Sequence, residues 1–247
     1  MISIKTEEEI SIMAEGGRRL AGITRELEKQ VRPGIKTSEL NELAEELISK
    51  AEGKPSFKGY DGFPAAICVS VNEEVVHGVP SERELKNGDI VSLDLGMKYN
   101  GYHSDMAVTV PVGNISPETH RLIRVTKKAL KRGINKVRPG NTFGDIGNTI
   151  QRFVESQGFG VVRDLCGHGI GRELHEDPQI LNYGKRGSGE EIKEGMVICL
   201  EPMVTVGDWS VKRSPDGCGF QTRDGSLSAH FEHMIAVTKH GCRILTE

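Results

Sequence analysis

The chain has 247 residues, 36% of them hydrophobic, with a formal net charge of −3, which allows one large core or two small ones and excludes a disordered chain. Interspersed signs give no electrostatic case for nucleic acid, so DNA is not an expected partner. No apolar run approaches the roughly 20 residues that span a bilayer, and Met1–Glu9 lacks the apolar stretch of a secretory signal, so a cytoplasmic protein with no membrane partner is expected.

Thr6-Glu-Glu-Glu9 has the form of a capping box, and Ile10, Met13, Ala14, Leu20, Ala21 and Leu27 then recur near helical period. Val31-Arg-Pro-Gly34 stops the run, which predicts a long first helix. Thr37 or Ser38 is the expected cap of a second helix, with Leu40, Leu43, Ala44, Leu47 and Ile48 on its apolar face and Gly53 at its end. Glycine- and aromatic-rich turns from Phe57 to Phe63 precede a short strand, Ala66–Val71. Residues 90 to 95 alternate with period two, so Ile90, Ser92 and Asp94 share one face and Val91, Leu93 and Leu95 the other. Asn100-Gly101 tolerates positive φ and predicts a tight turn, after which Asp105, Ala107 and Thr109 share a face of the returning strand. Asp94 and Asp105 therefore project from neighbouring strands. Buried like charges repel, and the pair needs a shared proton, a cation or a metal.

The second half repeats this order. Ser116-Pro117 starts a helix through Leu122, Ile123, Thr126, Ala129 and Leu130 that stops at Val137-Arg-Pro-Gly140, the same tetrapeptide as residues 31 to 34. Thr142 is the expected cap of a helix ending at Gly158, and Glu194–Glu201 lies over Asn87–Asp94. The offset is about 106 residues throughout, too long for a solenoid repeat. An internal duplication follows, with halves of about 1–112 and 113–247 in a single catalytic domain. If a pseudo-two-fold relates the halves, Asp94, Asp105, Glu201 and Glu232 converge in one cleft. The expected fold class is α+β, with helices packed outside a curved, mostly antiparallel sheet.

Between the second helix of the latter half and Glu201 lies Asp164-Leu-Cys-Gly-His168-Gly-Ile-Gly-Arg-Glu-Leu-His175-Glu-Asp-Pro178. Its glycines and proline argue against a helix and suit an irregular loop crossing the cleft. His77 is a third candidate histidine. Two aspartates, two glutamates and a histidine form an oxygen-rich set able to hold two divalent ions about 3.5–4 Å apart. Singly, each residue has an ordinary structural alternative; the constellation changes the odds. His103, His120 and His240 lack such support and are read as structural. The five cysteines (Cys68, Cys166, Cys199, Cys218 and Cys242) are odd in number and never spaced Cys-x-x-Cys, so free thiols are expected.

Asp94 with Asp105 eleven residues later, Gly-His168-Gly-Ile-Gly, Leu-His175-Glu-Asp-Pro, Glu201-Pro-Met and Phe-Glu232-His together resemble type I, bacterial-type methionine aminopeptidase along essentially the whole chain. The resemblance implies the duplicated pita-bread (creatinase/aminopeptidase) fold and a metalloaminopeptidase. Such an enzyme removes the initiator methionine of nascent proteins when the next residue is small, by a dinuclear metal-activated hydroxide. It implies Asp94, Asp105, His168, Glu201 and Glu232 as metal ligands, with Asp105 and Glu232 touching both ions, and a metal-bound α-amino group. Glu201 would relay a proton, His175 would donate toward the oxyanion and His77 toward the peptide nitrogen. Phe57, Tyr60, Phe63, Cys68 and Leu174 would line the methionine pocket. The two ions are open among cobalt, manganese, iron, zinc and nickel. The implied partners are nascent polypeptide N-termini, with a transient ribosome contact, and the expected state is a monomer.

Because Ile2 is not small, Met1 is expected to be retained. Met106, His230, Met234 and Leu174 depart from the family's usual threonine, glutamine, threonine and phenylalanine; His230 is expected to point to solvent near Glu232. No zinc-binding extension precedes the first helix, as expected of the short form. Two rival readings are a proline-specific peptidase of the same fold, which usually carries a large extra N-terminal domain, and a binding module that has lost its metals.

Overall fold

The computed structural model describes residues 2–247; Met1, whose retention is expected, lies outside them. In the first half α1 (Glu7–Gln30) and α2 (Thr37–Lys50) precede β1 (Lys54–Pro55), β2 (Ile67–Val71), β3 (Glu74–Val76), β4 (Ile90–Tyr99) and β5 (Tyr102–Pro111). In the second, α3 (Pro117–Ile134) and α4 (Phe143–Ser156) precede β6 (Gly160–Val161), β7 (Gly167–Gly169), β8 (Glu176–Ile180), β9 (Val197–Leu200) and β10 (Met203–Thr205). The remaining strands are β11 (Val211–Arg213), β12 (Phe220–Thr222), β13 (Ser228–His230), β14 (His233–Thr238) and β15 (Gly241–Ile244).

The helices begin where side chains satisfy their free amides. Thr6 and Glu9 form the reciprocal capping box of α1, whereas at α4 the Thr142 backbone N–H and hydroxyl both donate to the Asp145 carboxylate. The cap of α2 is Lys36 rather than Thr37 or Ser38. Its backbone N–H donates to Glu39, while the Thr37 hydroxyl is drawn away to the Ser81 carbonyl. Gly53 is not the left-handed residue after α2; Glu52 takes that conformation, with φ of 59°. Gly53 is instead a close approach, since a Cβ there would lie 2.4 Å from Met97 Sδ.

All strand pairs are antiparallel. One sheet runs β1-β4-β2 with β5 also on β4, and another runs β15-β14-β9-β7-β8. The predicted two-residue turn joins β4 to β5, with Asn100 and Gly101 at φ of 46° and 86°. Pairing of Asp94 with Ala107 and of Gly96 with Asp105 puts both carboxylates on one face. One core lies under α1 and α2 against β2 and β4; a second lies under α3 and α4 against β9 and β14. Backbone and hydroxyl bonds stitch the sheets together: Glu232 N–H donates to the Ala107 carbonyl at 2.9 Å, and the Thr109 hydroxyl to the His230 carbonyl at 2.8 Å. α1 reaches the chain's other end, because Gly17 lets the Leu245 carbonyl approach to where a Cβ would stand.

One local expectation changes. His168 is not on an irregular loop but on the short strand β7, between β8 and β9, with a bulge after it. Phe231-Glu232 lies between β13 and β14, and β15 follows.

Candidate metal centre

A cavity of about 300 Å³ opens where the two large sheets meet, and all the sequence-predicted site residues line it. Asp94 and Asp105 come from the β4–β5 hairpin, His168 from β7, Glu201 from the end of β9 and Glu232 from the break between β13 and β14. Asp94, Asp105 and Glu232 place a carboxylate oxygen each within 4.8 Å of one another, all three buried. His168 and Glu232 form a second such group with Cys199.

The carboxylates are poorly provided for by protein alone. Asp94 Oδ1, Asp105 Oδ1 and Glu232 Oε1 are buried and have no hydrogen-bond partner among the described residues. Burial pushes the Asp94 carboxyl up to about 7 and the Glu201 carboxyl up to about 8. Asp105 and Glu232 are raised well above the carboxylate range by burial and by neighbouring carboxylates. His168 Nδ1 lies 2.9 Å from the Gly169 carbonyl, which only accepts, so this nitrogen carries the proton. Burial holds the ring neutral, with a value of about 3. Its Nε2 lone pair thus faces Glu201 Oε1 at 3.6 Å. Two acceptors in that position require a proton or a cation between them. Orphaned oxygens, a free imidazole lone pair and an oxygen-rich donor set fit divalent ions.

His175 stands over this group. Its ring is edge-on to His168 at 4.4 Å between centroids, and its Nδ1 is 2.9 Å from the Tyr60 hydroxyl. His77 lies beside Phe220, with a backbone φ of 58° that is strained for a residue with a side chain. Gly78 packs against the Val69 carbonyl where a Cβ would stand 2.4 Å away, which helps to hold His77 in that pose. Burial lowers His77 to about 4, so the ring is neutral at pH 7. Phe57, Phe63, Cys68 and Leu174 share a hydrophobic cluster on the cavity wall, and Tyr60 sits at its rim, 37% exposed.

His230 does not point to solvent. It is 1% exposed, and its Nε2 lies 3.5 Å from Glu201 Oε2. The His230 backbone is bonded on both sides by the Thr109 hydroxyl of β5, a partner that the local sequence does not reveal. Cys199 was missed as a neighbour of Glu232, although period two back from Glu201 gives it the same face. Arg213, Cys218 and Phe220 also line the cavity. They arrive through pairing of β12 with β3, a contact between distant segments with no sequence signal. His103 is structural as expected, buried against the Ser56 hydroxyl at 2.8 Å.

The family model for metallopeptidase family M24 matches residues 11–239. Methionine aminopeptidase 1 of Bacillus subtilis is 50% identical over 100% of this chain and 99% of its own length. Methionine aminopeptidase of Escherichia coli K12 is 41% identical over 99% and 94%. The crystal structure of methionine aminopeptidase from Thermotoga maritima superposes with a TM-score of 0.98 at 48% identity, covering 100% of both chains. Prolidase from Pyrococcus furiosus shares the fold at a TM-score of 0.79 and 25% identity, but this chain covers 65% of it. With family-wide coverage and full-length identity of this order, the chain belongs to metallopeptidase family M24, among the bacterial-type methionine aminopeptidases.

Proposed function

We propose that this chain removes the N-terminal methionine of nascent proteins and peptides whose next residue is small, with two divalent ions held by Asp94, Asp105, His168, Glu201 and Glu232. The observation that carries this reading is the set of buried carboxylate oxygens without partners, at the base of an apolar cavity. Asp94, Asp105 and Glu232, whose carboxylate oxygens lie within 4.8 Å of one another, would hold these ions together. When bound, such ions supply Lewis acidity and a nucleophile at neutral pH. Cobalt, manganese, iron, zinc and nickel all suit this mixed oxygen and imidazole set.

The protein's own groups then divide the work. Glu201 takes a proton during attack and returns it to the leaving amine. If Tyr60 donates its hydroxyl proton to His175 Nδ1, the imidazole proton sits on Nε2, free to donate to the oxygen where charge develops. Neutral His77 donates toward the peptide nitrogen. Phe57, Tyr60, Phe63, Cys68 and Leu174 enclose the thioether, whose sulfur gains from aromatic contact. Exclusion of water from this pocket strengthens each of these polar contacts.

The chain acts as one catalytic domain of two related halves, about 1–112 and 113–247. It works as a cytoplasmic monomer that meets nascent N-termini in transient contact with the ribosome. Among the described residues no helix is long and apolar enough to cross a membrane. Side-by-side assays of Met-Ala-Ser and Xaa-Pro substrates test the reading. Release of methionine from the first with no cleavage of the second is expected; cleavage of Xaa-Pro alone would assign the chain to the proline-specific branch instead.

A further inference from the structure

The two donor groups at the base of the cavity differ in kind. Asp94, Asp105 and Glu232 offer oxygen alone, whereas His168, Cys199 and Glu232 offer a nitrogen, a sulfur and an oxygen. Carboxylate sets suit magnesium, calcium and manganese, and thiolates select softer ions such as zinc. The centre is therefore chemically lopsided, and its sulfur has no part in the ligand set named above.

The sheet puts Cys199 there. β7 and β9 pair His168 directly with Cys199, and side chains opposite one another on an antiparallel ladder share a face, with Cβ atoms about 4.5–5.5 Å apart. Glu201 is two residues on and faces the same way. On the other flank of β9, Cys199 pairs with Met234, two residues beyond Glu232. One ligand atom from each of His168, Cys199 and Glu232 lies within 4.8 Å of the other two. Bonds of about 2.0–2.3 Å to nitrogen, oxygen and sulfur separate two donors of one ion by no more than about 4.5 Å. Small side-chain rotations therefore bring all three onto a single ion.

A buried cysteine is ordinarily a small apolar filler, and Cys68 shows that case. It pairs with Asp94 and lines the cavity, yet among the described residues it belongs to neither donor group. Cys199 is the reverse. It is fully buried and is not among the residues that line the cavity, so it acts on substrate only through an ion. The residues it faces have unused donor atoms: Glu232 is 3% exposed with its Oε1 unpartnered, and His168 presents its Nε2 lone pair.

We propose that His168, Cys199 and Glu232 form a soft-metal position, in which the Cys199 thiolate binds an ion such as zinc or cobalt, beside an all-oxygen position that takes a harder ion such as manganese. The assignment rests on the reading of His168 and Glu232 as ligands and adds to it a sulfur donor and a preference. A coordinating thiol is deprotonated outright: the S–H bond breaks, the sulfur–metal bond forms and the proton leaves to water, with no change of oxidation state.

Cobalt(II) is the probe, because thiolate ligation gives it an intense near-ultraviolet charge-transfer band that oxygen and nitrogen ligands do not. The chelated whole chain is titrated with cobalt beside Cys199→Ser, Cys68→Ser and Cys218→Ser, with Cys199→Ala as a second variant should serine disturb folding. The band should grow as wild type binds cobalt, persist without Cys68 or Cys218, and vanish without Cys199. Zinc affinity, read by competition with a chelating dye, should fall at least about tenfold without Cys199, while manganese affinity stays within about twofold. No band in wild type, a band that survives loss of Cys199, or equal losses of zinc and manganese would overturn the proposal. A Cys199-dependent band in a chain that releases no methionine from Met-Ala-Ser would support the sulfur ligand and sink the aminopeptidase reading. Metal-restored release with no band would do the reverse.

Discussion

Asp105 is buried with one oxygen unpartnered and close to the carboxylates of Asp94 and Glu232. Removing one member of a buried like-charge set relieves repulsion in the metal-free protein. Asp105→Ala should therefore leave the melting temperature of chelated protein unchanged or raised, abolish the upward shift caused by divalent ions, and cut turnover by more than about a thousandfold. Differential scanning fluorimetry with a Met-Ala-Ser assay reads all three; unchanged turnover would remove Asp105 from the mechanism. His230 touches Glu201 and does not line the cavity. His230→Ala should lower kcat by roughly tenfold, the scale of losing a contact that orients a ligand, with KM little changed. A rise in KM at constant kcat would place the ring in substrate binding instead. Residue identities at the centre were legible because acids at strand ends, and glycines around a histidine, are unusual in combination. The setting of His230 was not, because its backbone is held by Thr109, 121 positions away in the chain.

The β4–β5 hairpin was legible from local chemistry: period two fixes its faces and Asn100-Gly101 supplies its turn. The hairpin also shapes the pocket through Gly96, where a Cβ would stand 2.6 Å from Phe57 Cε1. Gly96→Ala should destabilise the protein by about 1–3 kcal/mol and push Phe57 within the proposed methionine pocket, raising KM more than it lowers kcat. Steady-state kinetics with a denaturant melt check this, and an unchanged KM would separate Phe57 from the pocket. Other elements were misread where competing contacts won. The Thr37 hydroxyl left the cap of α2 for Ser81, and His168 was taken into a strand because β9 offered free backbone groups on its flank. Three residues flanked by glycine carry no strand signal of their own.

Across the whole molecule, charge and proton occupancy follow from how the halves are assembled. The helix pairs were legible from caps and period. The buried acids make stability depend on pH. A carboxyl raised in the folded state stabilises while protonated, and that contribution is lost as pH rises through its folded value. For Asp94 and Glu201 those values are about 7 and about 8. The buried histidines act oppositely, losing their contribution as pH falls below their ordinary 6.5. Above pH 6.5 the carboxylates therefore dominate. Chelated protein should melt at a lower temperature at pH 8.5 than at pH 7, and divalent ions should remove that difference by taking the place of the protons. A melting temperature of chelated protein that rises over this interval would contradict it.

The most direct measurement is methionine release from Met-Ala-Ser at neutral pH, before chelation, after chelation, and after add-back of single divalent metals. Chelation should abolish activity, and at least one of manganese, iron, cobalt, zinc or nickel should restore it. Full activity in the chelated protein, or none under any metal from a folded chain, would contradict a metal-dependent aminopeptidase.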